Sequence, residues 1–211
     1  MGFYERWIVP RLLDLAMRNR VLDHHRHQTV ASARGLVLEV GVGSGLNLPL
    51  YGPAVTRVVA IDPSPELLRL ASRRTADVVI PVSLPRASAE HLPLADAVFD
   101  TIVMTWTLCS IPNPIAALTE MRRVLKPGGQ LLFVEHGLSP EIRTARWQRR
   151  LTPYWKRISG GCHLDRKTDD LIRAAGFQID AIEMAYMQGP KPWTFMYQGS
   201  ANQLVPLWKF R

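Results

Sequence analysis

Three glycines at alternate positions, Gly41, Gly43 and Gly45, follow directly on a short apolar run that contains a single carboxylate, Glu39. A turn of this kind bends the chain tightly and lets a ligand approach the backbone with no Cβ in the way. A second carboxylate, Asp62, stands at the end of the next apolar run, Val55–Ile61. The interval between Glu39 and Asp62 suits one βαβ unit, and an acid at the tip of its second strand can accept hydrogen bonds from both hydroxyls of a ribose. Strand-to-helix turns are often glycine-rich for structural reasons alone, so the turn needs these companions before it implies a ligand. The spacing also discriminates among nucleotides. The third glycine of the dinucleotide pattern would fall on Leu46, whose side chain would crowd the helix–strand packing of an NAD site. Glu39 itself is costly inside an apolar strand unless a cationic or donor-rich partner lies close by.

The elements that must position these groups alternate along the chain. Leu36–Val40 and Val55–Ile61 read as buried parallel strands. Pro63 and Ser64 lead into a helix, with Ser64 as cap, Pro65 at the first position and Glu66 at the positive dipole end. A third strand is expected over Val82–Arg86, at a sheet edge because Pro85 has no amide to donate. Ala87–Pro93 is a polar loop after that strand, where an adenine could be read. Phe99–Thr105 and Leu131–Val134 are further strands, the latter ending in Glu135-His136. Between them a helix capped by Asn113 runs from Pro114 to the break at Lys126–Gly129. Ser139 opens a helix rich in Arg and Trp, and Thr168 is the expected cap of a shorter one. Phe177–Met187 and Trp193–Ser200, joined by a proline–glycine connection, read as an antiparallel pair.

Composition narrows the partners. The 211 residues suit one domain with a substantial core. Lys and Arg number 26 against 18 Asp and Glu, a formal +8 that suits an anionic surface, yet no RNA-recognition or zinc-finger signature accompanies it, so nucleic acid is not expected. Two cysteines, Cys109 and Cys162, make no disulfide framework, and a reducing cytoplasm is the default location. No apolar run is long enough to span a membrane, and charges interrupt the start as a signal peptide would not allow. The segment Phe3–Val30 has helical spacing of Ile8, Leu12 and Leu15 with several arginines. It suits either a cap packed on the domain or a basic amphipathic helix that meets an anionic membrane peripherally. His24, His25 and His27 have no cysteine at a familiar metal spacing, and no metal is expected.

Five motifs occur in order: Glu39–Gly45, Ile61-Asp62, Ala89–Pro93, Phe99-Asp100 and Arg123–Gly129. Together they resemble the class I S-adenosylmethionine (SAM)-dependent methyltransferases. The resemblance implies an α/β fold: a doubly wound, Rossmann-like, seven-stranded sheet, mostly parallel with one antiparallel strand near the C-terminus. It places a methyltransferase domain over 35–201, between a helical cap at 1–34 and a tail at 202–211. Thr107–Ile111, Glu135-His136, Trp147-Gln148, Trp155 and Gly161–Arg166 are similar to the thiol S-methyltransferase branch. Related bacterial sequences are often labelled phospholipid N-methyltransferases.

The resemblance implies SAM as cofactor. Gly41, Gly43 and Gly45 would lie against its methionine part, and Glu39 would orient the loop or meet the amino group. Asp62, next to Pro63, would hold the ribose; Ser88, Ala89 and Glu90 would face the adenine, and Thr105 would floor the pocket near the methyl. Many relatives carry Asp where Ser88 stands, and the shorter hydroxyl reaches less far. For the acceptor, a small-molecule thiol demands little of a base, since a few per cent is already thiolate at neutral pH. His136, at a strand's carboxyl end, is the first candidate for that base and His163 the second. Cys109 lines the acceptor pocket or serves as a small buried hydrophobe. Asp165 orients the acceptor or caps the following turn. Methylation of a small apolar thiol is the leading expectation; a phosphatidylethanolamine-type lipid amine and a non-enzymatic SAM-binding subunit are the alternatives.

Overall fold

The computed structural model of the chain describes residues 9–203. Ile8 with the start of the expected N-terminal helix, and the tail from 204 onward, lie outside the described residues. Seven strands form one sheet: β1 (Gly35–Val40), β2 (Val55–Ile61), β3 (Val82–Ser83), β4 (Phe99–Thr105), β5 (Leu125–His136), β6 (Phe177–Tyr186) and β7 (Phe195–Gln203). Their order is β3-β2-β1-β4-β5-β7-β6. β7 runs antiparallel to both neighbours and every other pairing is parallel, so one strand is reversed, as expected.

Seven α-helices accompany the sheet among the described residues: α1 (Val9–Met17), α2 (Arg20–Val30), α3 (Pro65–Arg74), α4 (Pro114–Val124), α5 (Ile142–Ile158), α6 (Thr168–Ala174) and the single turn α7 (Lys191–Thr194). Two start as their sequences dictate. Ser64 Oγ accepts from Leu67 N at 3.3 Å, and Asn113 Oδ1 accepts from Ala116 N at 3.1 Å. α6 differs: Lys167 takes the cap position and Thr168, buried, is already helical. β3 is shorter than Val82–Arg86 because Pro85 ends the ladder, leaving only a bridge between Asp62 and Arg86.

The period-two alternation of strand side chains separates two apolar layers. Leu38, Ile102, Phe133, Leu118 and Phe177 fill one, and Val37, Val58, Val103, Leu132 and Leu48 fill the other. Strand order reverses at β1: β2 and β3 extend the sheet to one side of it, β4 and β5 to the other, all parallel. The crevice of an open α/β sheet lies at such a switch point, beyond the strands' carboxyl ends. The glycine turn, Asp62 and Thr105 all stand there.

The N-terminal helices close over this edge. Asp14, buried on α1, pairs with Arg74 of α3 at 2.9 Å, and Arg74 also donates to the carbonyl of Ser44 in the glycine turn. The polar side of α1 therefore faces the domain. Leu12 and Leu15 point outward, 52% and 71% exposed, opposite to what a cap packed by its apolar face would do. No helix among the described residues is long and apolar enough to cross a membrane.

Candidate active site

The three glycines hold left-handed conformations, with φ of 71° at Gly41, 55° at Gly43 and 84° at Gly45. The turn is laced to the end of β2. Gly41 N and Val42 N both donate to Ile61 O, at 2.9 and 3.0 Å. Asp62 Oδ2 accepts from Gly43 N at 3.0 Å while Oδ1 accepts from Ser64 N at 2.8 Å. Burial pushes the Asp62 carboxyl up, and these two amides oppose the shift by stabilising the anion. Asp62 thus fixes the turn as well as standing at the crevice.

Glu39 has the donor-rich surroundings that its position demands. Asn47 Nδ2 donates to Oε1 and the Tyr51 hydroxyl to Oε2, each at 2.9 Å. Burial pushes its pKa up to about 7 against the pull of Tyr51, Asn47 and the Arg26 charge. Asn47 Nδ2 also donates to Thr105 Oγ1 at 3.0 Å, tying β1, the glycine turn and β4 together.

A cavity of about 1010 Å³ opens in front of these residues. That is at the upper end of the usual ligand range of roughly 300–1,000 Å³, enough for a nucleoside cofactor beside a second small molecule. Gly41, Gly43, Asp62, Pro63, Ser88, Ala89, Glu90, Thr105, Cys109 and His136 all line it. Glu39 and Gly45 stand behind the lining and shape it. His163 and Asp165 are not among the lining residues: their side chains approach each other at 3.8 Å, and His163 contributes through its backbone amide, which donates to Cys109 O at 2.8 Å. Ser88 and Glu90 form a local turn, with Glu90 N donating to Ser88 Oγ at 3.3 Å.

The far end of the cavity is built on the turn after β4. Glu135, fully buried, accepts from the backbone amides of Thr107, Leu108 and Cys109 at 2.7, 2.9 and 3.4 Å. Burial raises its pKa to about 7, opposed by these amides. Trp106 just before them has φ of 50°, a conformation that non-glycine residues hold only when their surroundings enforce it. Its indole donates to Met196 Sδ at 3.2 Å, and the Arg26 guanidinium stacks 4.7 Å from the ring centroid. Cys109 Sγ, Cys162 Sγ and a His136 nitrogen all lie within 4.8 Å of one another. The Cys109 thiol pKa is pushed well up, by its hydrogen bond to Cys162 and then by burial. Burial opposes protonation of His136, but Cys109 and Glu135 outweigh it and hold its pKa above the ordinary value.

Several of these residues were not evident from sequence spacing. Arg26, Asn47, Tyr51 and Glu135 act through contacts between distant segments. For Glu39 and Glu135 the available signal was a carboxylate inside an apolar run. For Cys162 it was the Gly161–Arg166 motif.

The unsatisfied groups show what the cavity suits. Arg26 is buried, and its Nε and Nη1 have no hydrogen-bond partner among the described residues; neither has Asn47 Oδ1. Donors from a guanidinium fit a carboxylate, and an amide oxygen fits an ammonium. Together they match the amino-acid end of SAM. A Cβ at Gly43 would meet nothing nearer than Gly41 O at 4.0 Å, so the space before this glycine is left for a ligand.

Comparison with known proteins agrees with this geometry. Residues 38–133 match the family described as "Methyltransferase domain". The chain is 35% identical over 161 residues to thiol S-methyltransferase TMT1B of Rattus norvegicus, covering 74% of this chain and 65% of that protein. The chain thus spans about two thirds of that relative's length. It is 38% identical over 198 residues to phosphatidylethanolamine N-methyltransferase of Cereibacter sphaeroides, covering 92% and 93% respectively. Among solved structures, a putative methyltransferase in complex with the Haloferax volcanii Trm112 methyltransferase activator shares the fold. Its TM-score is 0.72 at 17% identity, over 97% of this chain and 99% of that one. With a crevice at the switch point of a seven-stranded sheet and these relatives, this chain belongs to the class I SAM-dependent methyltransferases, related to their thiol and small-molecule branch.

Proposed function

We propose that the protein methylates a small, apolar thiol with SAM as methyl donor. The observation that carries this reading is the acceptor end of the cavity, where Cys109, His136 and Cys162 meet beside apolar and aromatic walls from Trp106, Trp155, Trp193 and Met196. Bound SAM supplies a methyl already activated on a sulfonium, so the chain's task is to position the acceptor and manage one proton. Arg26 and Asn47 hold the amino-acid end, Asp62 the ribose, and the Ser88–Glu90 turn borders the adenine. Glu135 holds the Thr107–Cys109 turn rigid against the reacting centre. His136 takes the thiol's proton. Its side chain is almost wholly buried, which keeps bulk water from competing for that role.

Asp62→Ala tests the cofactor half of this reading. It removes a charge-assisted pair of ribose hydrogen bonds and frees Gly43 N and Ser64 N. SAM affinity by calorimetry is expected to fall by roughly 1–3 kcal/mol. Unchanged affinity for SAM, or tight binding of NAD, rules out the assignment.

A lipid amine is the second reading. It is favoured by the Cereibacter sphaeroides relative's coverage of nearly the whole chain and by the outward Leu12 and Leu15 on a helix that carries Arg11 and is followed by Arg18. Vesicle sedimentation addresses it. Binding to anionic liposomes that fades with added salt is expected from a basic amphipathic surface. Equal recovery in the supernatant with and without vesicles removes the membrane contact. Turnover measured across alkyl thiols, lipid amines and quinols then decides the acceptor class.

A further inference from the structure

Cys109, His136 and Cys162 come from three separated segments, so no local spacing announces them, and the histidines at 24, 25 and 27 had given no reason to expect a metal. Their convergence gives one. We propose that these three side chains bind a zinc ion whose fourth position opens on the cavity and takes the acceptor sulfur as thiolate. This rests on the thiol reading above and changes the part played by His136 within it, from base to ligand.

Geometry and chemistry both support the site. Cys162 Sγ lies 3.4 Å from Cys109 Sγ and 3.7 Å from His136 Nε2. In a tetrahedral zinc site with bonds of about 2.3 Å to sulfur and 2.0–2.1 Å to nitrogen, neighbouring ligand atoms stand about 3.5–3.8 Å apart. Cys162 therefore already stands within tenths of an ångström of that spacing from both partners, and Cys109 and His136 lie within 4.8 Å of each other. Two thiolates and an imidazole select a thiophilic ion over magnesium or calcium, and three protein ligands with one open position is the arrangement of catalytic zinc. All three residues line the cavity, which gives an ion held by them access to a small molecule there.

The support around the ligands is stiff. Glu135 holds the Cys109 amide, and the Cys109 carbonyl accepts from His163 N. His136 is held in the sheet opposite Met196. Arg166 donates to the carbonyls of Leu108 and Ile111, and its positive charge acts on both cysteines. That charge suits a centre that becomes anionic when a third thiolate joins two thiolates and a dication.

The step balances without an added reagent. On binding, the acceptor's S–H bond breaks, its sulfur bonds to zinc and the proton leaves to cavity water. The sulfur's electron pair then forms the new S–CH3 bond, the S+–CH3 bond of SAM breaks, and that bonding pair stays on S-adenosylhomocysteine. The thioether product is a poor zinc ligand and departs.

The test uses the whole protein, loaded with zinc, dialysed, and assayed for metal, with SAM calorimetry as a check of the fold. About one zinc per chain is expected, falling at least about tenfold in Cys109→Ser and Cys162→Ser while SAM affinity stays within about twofold. Cys162 is only partly buried, so Cys162→Ser serves if Cys109→Ser does not fold. Cobalt substituted for zinc should show a thiolate charge-transfer band, and an added alkyl thiol should shift the visible bands. A zinc-free protein, equal zinc in the serine variants, cobalt bands that ignore the thiol, or a Cys109–Cys162 disulfide in place of metal each overturns the proposal. Thiol methylation by zinc-free protein discards the ion and keeps the thiol reading. Zinc bound by these residues, with methylation of lipid amines alone, keeps the ion site and discards its acceptor.

Discussion

A Gly43→Ala variant is expected to remain folded and to lose most of its affinity for SAM. The two effects separate because of where the new methyl goes. Nothing in the protein lies within ordinary contact distance of a Cβ at this position; the nearest atom is Gly41 O at 4.0 Å. The folded state bears only the cost of holding alanine at φ of 55°, about 1–2 kcal/mol. For a domain of this size that is a loss of roughly 2–8 °C in Tm. The cofactor, by contrast, must share its space with the methyl. An overpacking penalty of about 1–3 kcal/mol corresponds to SAM binding about 5- to 150-fold weaker.

Gly41→Ala provides the contrast. Its Cβ would stand 2.8 Å from Thr107 Cβ, and Glu135 holds Thr107 in place through the amide at 2.7 Å. Strain at φ of 71° adds to the clash, so this variant should lose about 2–5 kcal/mol of stability together with SAM binding. Thermal melts and calorimetry on both variants give the comparison. Wild-type SAM affinity in Gly43→Ala would mean that the cofactor does not lie against the turn.

The same turn marks how far the sequence is legible. Its glycines, the preceding apolar run and Asp62 are consecutive or one βαβ unit apart, and strands buried on both faces announce themselves as apolar runs. β1, β2, β4 and the parallel core of β5 follow directly. Where short-range rules competed, the details moved. Pro85 cut β3 to two residues, Lys191–Thr194 spent one turn as helix before β7 began at Phe195, and Lys167 displaced Thr168 from the cap. The acceptor end was less legible, because its residues meet only through tertiary packing. Glu135 reaches the turn after the neighbouring strand, Arg26 swings from α2 onto Trp106, and Cys162 arrives from the segment after α5. A carboxylate or a cysteine in an apolar setting signals that a partner is needed; it does not say which segment supplies it.

His136→Ala should slow thiol methylation by a factor that pH restores. An alkyl thiol of pKa near 8.5 is about 3% thiolate at pH 7 and mostly thiolate at pH 9. A group that assists ionisation can therefore contribute at most about 30-fold at pH 7, shrinking to little at pH 9. This trend follows from the acceptor's own titration. It holds whether the imidazole takes the proton itself or helps to hold an ion that would bind the sulfur as thiolate, because free thiolate replaces either. A lipid amine behaves differently. With a pKa near 10.4 it is under about 0.1% neutral at pH 7, and loss of a general base should cost about 10²–10⁴-fold. The measurement is a pH–rate profile of wild type and His136→Ala with an alkyl thiol and with a phosphatidylethanolamine analogue. The expected result is thiol turnover by the wild type, a deficit in the variant that closes towards pH 9, and little activity on the lipid. Robust lipid methylation with no thiol turnover would sink the thiol assignment. The crevice built by Gly43, Asp62 and Arg26 would stand unchanged, because the cofactor end shares no residue with the proton's path.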